Sequence, residues 1–187
     1  MAVKAPLGAQ KSVFLSPCSF EAVCKAEEYG TGFQLGAELG PATTRNDQMY
    51  DPDNIFGKIL RGEIPSTRVY EDDDTLAFMD IMPRAEGHVL VIPKTPCRNM
   101  LDASPEQIAA VMKTVQLLSR ALMVAFEADG ITLQQFNEAA GGQEVFHLHF
   151  HVLARHEGDR LWAPGNMGDQ AKIQENATKI KAALSEL

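Results

Sequence analysis

Apolar positions recur along this chain with two periods, and the switches between them mark its elements. Between Asn54 and Leu60 the apolar residues Ile55, Phe56, Ile59 and Leu60 fall at helical spacing, and Gly62 and Pro65 close the run, which predicts a short helix. Arg68 to Glu71, Thr75 to Asp80 and His88 to Ile92 are short and rich in branched and aromatic residues. The Glu71-Asp72-Asp73-Asp74 turn, Pro83 and Pro93 bound them, so three strands are expected. Ser104-Pro105-Glu106-Gln107 then supplies a capping hydroxyl, a proline at the first helical position and a glutamine at the third. Ile108, Val111, Met112, Val115, Leu118 and Leu122 follow at intervals of three and four, predicting a long amphipathic helix that Gly130 stops. Ile131 to Asn137 and Val145 to Leu153 read as two more strands around the Ala140-Gly141-Gly142 loop, and Asp169 caps a helix carrying Ile173, Ala177, Ile180 and Leu184 on one face. Strands joined by short turns with one long helix inserted predict an α+β fold, a five-stranded antiparallel sheet packed on that helix.

Residues 1–50 are patterned differently. Gly30, Gly32, Gly36, Gly40 and Pro41 interrupt them, and only Ser19 to Glu28 has the makings of a short helix. The expected organisation is an N-terminal extension over 1–50, one domain over 51–165 and a C-terminal helix over 166–187. Met49 stands where the regular pattern begins, so translation from Met49 is a second reading of the extension.

The 187 residues suffice for one domain at about 150 residues per domain. Hydrophobic residues at 45% and charged residues at 22% are an ordinary globular balance, which excludes collagen-like, coiled-coil and wholly disordered chains. Unbroken apolar runs such as His88 to Pro93 fall short of the roughly 18 residues that cross a bilayer, so no membrane span is expected. A net charge of -8 argues against binding a nucleic-acid backbone, which needs clustered Lys and Arg, but it leaves room for a local anion pocket. The three cysteines, Cys18, Cys24 and Cys97, have no C-x-x-C spacing and suggest neither a disulfide framework nor a zinc knuckle. The first 20 residues contain no secretory h-region. The expected location is cytoplasmic, with organellar targeting by the extension left open.

The strongest chemical signal is His147-Leu148-His149-Phe150-His151-Val152-Leu153. In a strand the three imidazoles share one face while Leu148, Phe150 and Val152 enter the core, and His147 and His151 stand roughly 13 Å apart at Cα. A neutral imidazole is a competent nucleophile near neutral pH, and its neighbours can orient it or protonate a leaving group, so the row suits phosphoryl or nucleotidyl transfer. Two other readings stand beside this one. Strand histidines can be merely half-buried and hydrogen-bonded, and an H-x-H pair can chelate zinc at about 2.0 to 2.1 Å. The third histidine is too distant for the same ion and no Asp, Glu or Cys at suitable spacing completes a set, so no metal or other cofactor is expected. Asp80, before a proline turn, can accept both hydroxyls of a ribose. Gly141 and Gly142 would let backbone amides approach an anion.

The histidine row matches the H-x-H-x-H-x-x signature of the histidine triad, or HIT, superfamily. Asp53 to Ile59, Gly62-Glu63-Ile64-Pro65, Leu76 to Ile81, Gly87 to Lys94 and Gly141-Gly142-Gln143 resemble its Hint branch, the histidine triad nucleotide-binding proteins. The resemblance runs from about Asp53 to Trp162. It implies the HIT fold, a homodimer joining two five-stranded sheets into one of ten strands, and a purine nucleotide site in each protomer. It also implies hydrolysis of nucleoside monophosphate conjugates through a nucleotidyl-histidine intermediate. In these roles His149 is the nucleophile, His151 contacts the phosphate and leaving group, and His147 and His88 form the supporting network. Asn137 and the amides of Gln143, Glu144 and Val145 after Gly142 hold phosphate oxygens, and Asp80 holds the ribose. Ile55, Phe56, Ile59, Phe78, Ile81 and Leu90 line the base pocket.

The chain departs from that pattern in three places. Glu144 stands where the branch commonly has Ser or Thr, and a carboxylate there would repel an anionic leaving group and accept a hydrogen bond from an amine. Asn54, Gly57 and Pro96 occupy the positions that hold structural zinc in many bacterial relatives, so no such zinc is expected. Trp162-Ala163-Pro164-Gly165 resembles the branch's terminal tail, but the chain continues beyond it. The expected substrates are therefore purine nucleoside phosphoramidates or related AMP or GMP conjugates. The alternatives are a diadenosine polyphosphate hydrolase and a nucleotide-binding regulatory protein with residual catalysis.

Overall fold

The computed structural model describes residues 49–162 and 166–187, all within one unit that spans Asn46–Leu187. The expected Ser19–Glu28 helix and the tail residues 163–165 lie outside them. Asn54 opens α1 (Ile55–Leu60), its side chain accepting from the Phe56 and Gly57 amides at 3.0 Å. Three strands follow, β1 (Arg68–Glu71), β2 (Thr75–Met79) and β3 (Val89–Pro93). The capping box expected at Ser104 is formed. The Gln107 amide donates to Ser104 Oγ at 3.2 Å, the Ser104 amide donates to Gln107 Oε1 at 2.7 Å, and α2 (Pro105–Ala125) begins there.

Gly130 does not end that helix. It stops at Ala125, and Glu127 then takes a left-handed backbone at φ 48°, so the turn is made before the glycine, which starts β4 (Gly130–Gln134). β5 (Phe150–Arg155) completes the sheet and α3 (Gln170–Leu184) follows, capped by Asp169 as expected. Strand order is β1-β2-β3-β5-β4 with every pair antiparallel.

All residues of β2 and β3 are buried because both sheet faces are covered. Ala77, Met79, Val89 and Val91 point into the larger core with Val115, Leu118 and Leu122 of α2 and Ile173, Ala177 and Ile180 of α3. The alternate residues Leu76, Phe78, Leu90 and Ile92 meet Phe56 and Ile59 of α1 on the other face. There α1 covers only part of the sheet, and the remainder opens as the site. In length and composition α2 would suffice to cross a membrane, its most apolar 18-residue stretch having a mean hydropathy of 1.5. Lys113 and Arg120 interrupt the stretch without lowering its average far, and Val111, Val115, Leu118 and Leu122 are spent on the core.

The strand expected over Val145–Leu153 is shorter at its start, so His147 and His149 lie in the approach to β5 and only His151 is within it. Pro93, the next position of β3 along the ladder, has no N–H to give. The Leu148 amide donates to the Cys97 carbonyl at 2.9 Å instead, which ends the ladder at Val91 and Phe150. The alternation survives, with Leu148, Phe150 and Val152 in the larger core as expected.

Candidate active site

The three histidines and His88 are all withdrawn from water, with His88 and His147 fully buried and His149 at 6% exposure. Burial is the first cause in every case, and it pulls His88 and His147 down to about 4, His151 to about 3, and His149 below the ordinary imidazole value. All four rings are neutral at pH 7. Each then has one N–H and one lone pair, and the surroundings assign them.

His149 Nδ1 lies 2.7 Å from the His147 carbonyl, which can only accept, so Nδ1 carries the proton and the Nε2 lone pair is left to the cavity. His147 Nε2 donates in the same way to the Pro93 carbonyl at 2.9 Å, and its Nδ1 accepts from the Tyr50 hydroxyl at 2.7 Å. His88 Nδ1 accepts from the Arg84 amide at 3.2 Å, so the His88 proton is on Nε2 and is donated to His151 Nδ1 at 2.9 Å. His151 consequently turns an Nε2–H toward the cavity. Asp80 Oδ2 also stands 3.3 Å from His88 Nδ1. With a neutral ring that already accepts from an amide this is proximity rather than an ion pair, and the carboxylate's attraction raises the His88 value less than burial lowers it.

A cavity of about 610 Å³ opens over these rings, a size suited to a small ligand. Ile55, Phe56, Ile59, Phe78, Leu90 and Val145 make an apolar end, with Phe56 edge-on to both Phe78 and His149 at centroid separations of 5.6 and 5.1 Å. Asp80, Ile81, Gly142, Glu144, His149 and His151 also line the cavity. These twelve are residues that the sequence singled out, brought to one place.

His147 and His88 stand behind the lining, as supports. Asn137 and Gln143 are also off it. Asn137 Oδ1 accepts from the Met100 amide at 3.0 Å and its Nδ2 donates to Gln135 at 2.7 Å. Gln143 is buried, accepts from the Glu138 amide at 2.8 Å and donates to the Arg98 and Val145 carbonyls at 2.8 and 3.0 Å. Both tie the loop before the histidines to the segment after β3. An ion pair reinforces the tie. Arg98, stacked 3.9 Å over the Phe146 ring, donates to both Glu138 oxygens at 2.8 Å. Glu138 holds φ 62°, a backbone that costs a non-glycine residue about 1 to 3 kcal/mol, and Gly142 meets the left-handed requirement at φ 89° without that cost.

The lining also includes Ile64, Pro65, Ser66, Met79, Met82, Arg84 and Phe136, which the sequence did not single out as site residues. Phe136 packs edge-on to His151 at 5.7 Å. Its signal was available in retrospect, since it lies two residues beyond Gln134, the register partner of His151. Tyr50 was assigned to the extension and proves to be the hydroxyl donor to His147. Asp80, His88 and His151 each offer one ligand atom within 4.8 Å of the others, a geometry that could hold a metal ion. The fit is poor, because a cation would have to break the His88–His151 hydrogen bond beside the fixed charge of Arg84, whose repulsion already lowers both rings.

The histidine order, the sheet and the cavity define a class, and comparison with known proteins agrees. The HIT domain model matches residues 61–158, more than half of the chain, and the chain belongs to the HIT family. The adenylylsulfatase HINT3 of Arabidopsis thaliana is 37% identical over 133 residues, covering 71% of this chain and 68% of its own. A solved Hit-like protein involved in cell-cycle regulation from Bartonella henselae is 57% identical at a TM-score of 0.70, covering 73% of this chain and 99% of its own. A Zn-bound histidine triad protein from Mycobacterium smegmatis is 35% identical at a TM-score of 0.65, over 72% and 94% of the two chains.

Proposed function

We propose that the protein is a nucleotidyl hydrolase acting on purine nucleoside phosphoramidates or related nucleoside monophosphate conjugates through a covalent intermediate on His149. The observation that carries this is the opposed tautomers of His149 and His151 on one cavity, a lone pair from the first and an N–H from the second. His149 Nε2 attacks the α-phosphorus in line, an N–P bond forms, and the bond to the leaving group breaks. An amine leaving group takes the His151 Nε2 proton as it departs. Water then attacks phosphorus and gives a proton to His151 Nε2, the N–P bond breaks with its electron pair returning to His149 Nε2, and the nucleoside monophosphate is released with both tautomers restored. The apolar end between Phe56, Phe78 and Leu90 receives the base, and Asp80 the ribose hydroxyls. The Arabidopsis relative's name favours a second substrate within the same chemistry, an adenylyl sulfate.

We further propose a homodimer joined along the β4 edge, where Leu133 is 44% exposed beside the free side of the strand. Light scattering at micromolar concentration distinguishes dimer from monomer.

The mechanism is tested by intact-protein mass spectrometry during turnover of adenosine 5'-phosphoramidate. Wild type is expected to carry a transient adduct of one nucleoside monophosphate, and His149→Ala and His149→Gly to show neither adduct nor turnover. Hydrolysis by either variant at a wild-type rate refutes the assignment.

A further inference from the structure

Among the described residues, three buried polar side-chain atoms have no hydrogen-bond partner, and two of them, Ser66 Oγ and Arg84 Nε, belong to residues that line the cavity. A buried donor without an acceptor costs stability, so such an atom at a binding site points to a ligand that completes it. Arg84 is the stronger case, because a guanidinium has five N–H donors and no acceptor capacity. One donor, on Nη1, is given to Gln134 Oε1 at 3.2 Å, a neutral acceptor. Among the described residues Arg84 is the one Lys or Arg in the lining, which also contains the carboxylates of Asp80 and Glu144 and the imidazoles of His149 and His151.

Its position along the cavity is set by its neighbours. The Arg84 main chain holds His88, which holds His151, and Gln134 is the register partner of His151 across β4 and β5. The guanidinium therefore stands at the His151 end of the cavity, where Leu90 is the other register partner of His151 and Phe136 packs on its ring. In-line attack by His149 sends the leaving group away from His149 and toward that end. Building on the nucleotidyl-transfer reading above, we propose that Arg84 forms an anion subsite for the leaving group, and that it favours conjugates whose displaced group is an oxyanion, sulfate-like or phosphate-like, over those that release a neutral amine.

The two leaving groups need different help. When an oxyanion departs, the P–O bond breaks with its electron pair on the leaving oxygen, no proton is required, and a guanidinium fork can neutralise the charge through charge-assisted hydrogen bonds. When an amine departs, the nitrogen must take the His151 proton and no negative charge develops, so Arg84 contributes little. Glu144 acts in the opposite sense from the same cavity.

The test compares wild type, Arg84→Gln and Arg84→Lys in two assays. In calorimetry wild type is expected to bind α,β-methylene-ADP, which carries a second anionic group on a non-hydrolysable link, about 10-fold or more tighter than AMP. Arg84→Gln should collapse that ratio to about threefold or less, and Arg84→Lys should keep part of it. In hydrolysis, Arg84→Gln should lower kcat/KM for adenosine 5'-phosphosulfate about 10- to 100-fold more than for adenosine 5'-phosphoramidate. Equal losses for both ligands or both substrates, or no loss for either, overturn the subsite. If wild type hydrolyses neither substrate, the nucleotidyl-transfer reading fails by itself, and the calorimetric ratio still decides Arg84.

Discussion

Removing one oxygen from Tyr50 tests how tightly the histidine network depends on its hydrogen bonds. In Tyr50→Phe the ring stays and the donor to His147 Nδ1, now at 2.7 Å, is lost. His147 is fully buried and its other nitrogen is committed to the Pro93 carbonyl, so the ring cannot change tautomer to compensate without losing that bond. A buried acceptor left without a donor costs about 1 to 3 kcal/mol. For a chain of this size each kcal/mol lowers Tm by about 2 to 4 °C, which puts the loss at about 4 to 8 °C for a mid-range cost. Thermal melts of the full chain at pH 7.5 measure it. Nitrogen NMR of His147 supplies the site-specific readout, where the Nδ1 shift should move to that of a free lone pair while Nε2 stays protonated. A melt within 1 °C of wild type, with an unmoved Nδ1 resonance, would show that the hydroxyl does not support this ring. Translation from Met49 would retain Tyr50, so loss of the preceding residues is not equivalent to this substitution.

Acidification should act on the same network. Because burial holds His88 and His147 at about 4 and His151 at about 3 against an ordinary 6.5, the unfolded chain takes up protons first, and stability present above pH 6.5 is lost as pH falls toward 4. Each ring contributes about 1 to 2 kcal/mol of loss by pH 5, read as a falling Tm; a Tm flat between pH 7 and 5 contradicts neutral buried rings. Arg98→Met removes the bidentate partner of Glu138 but leaves its bond from Asn99 Nδ2 at 2.6 Å, and should cost about 1 to 3 kcal/mol in urea denaturation, with Arg98→Lys intermediate; a loss under about 0.5 kcal/mol would show that the pair does not hold the loop. Glu144→Ser should raise the rate ratio of adenosine 5'-phosphosulfate to adenosine 5'-phosphoramidate in direct competition, and an unchanged ratio removes Glu144 from leaving-group choice.

The parts of this molecule that follow repeating patterns were legible in the sequence. The Ser104 capping box, the Asp169 cap and the branched and aromatic runs of β2 and β3 each declare themselves through residues close together in the chain. The placement of Leu148, Phe150 and Val152 followed from the same period, although the strand assumed to produce it begins only at Phe150. Its early end depends on Pro93 and Cys97, some fifty residues away, which no local pattern reports. The site divides similarly. The histidines and the apolar wall were readable from their order and from family resemblance, whereas nothing in the local pattern singles out Arg84 or Phe136. Asn137 and Gln143 drew attention as polar residues beside a glycine loop. Their bonds to Met100, Arg98 and Val145 require knowing which loop lies against which.

The proton positions of the two working histidines are set by main-chain groups, the His147 carbonyl on one side and, through His88, the Arg84 amide on the other. Such groups persist whatever side chains surround them. The residues that face the ligand, among them Ser66, Arg84 and Glu144, can therefore be exchanged without resetting which ring attacks and which ring donates. A scaffold arranged in this way separates the inheritance of its chemistry from the choice of what it cleaves, and new substrates need only a repainted wall around an unchanged pair of imidazoles.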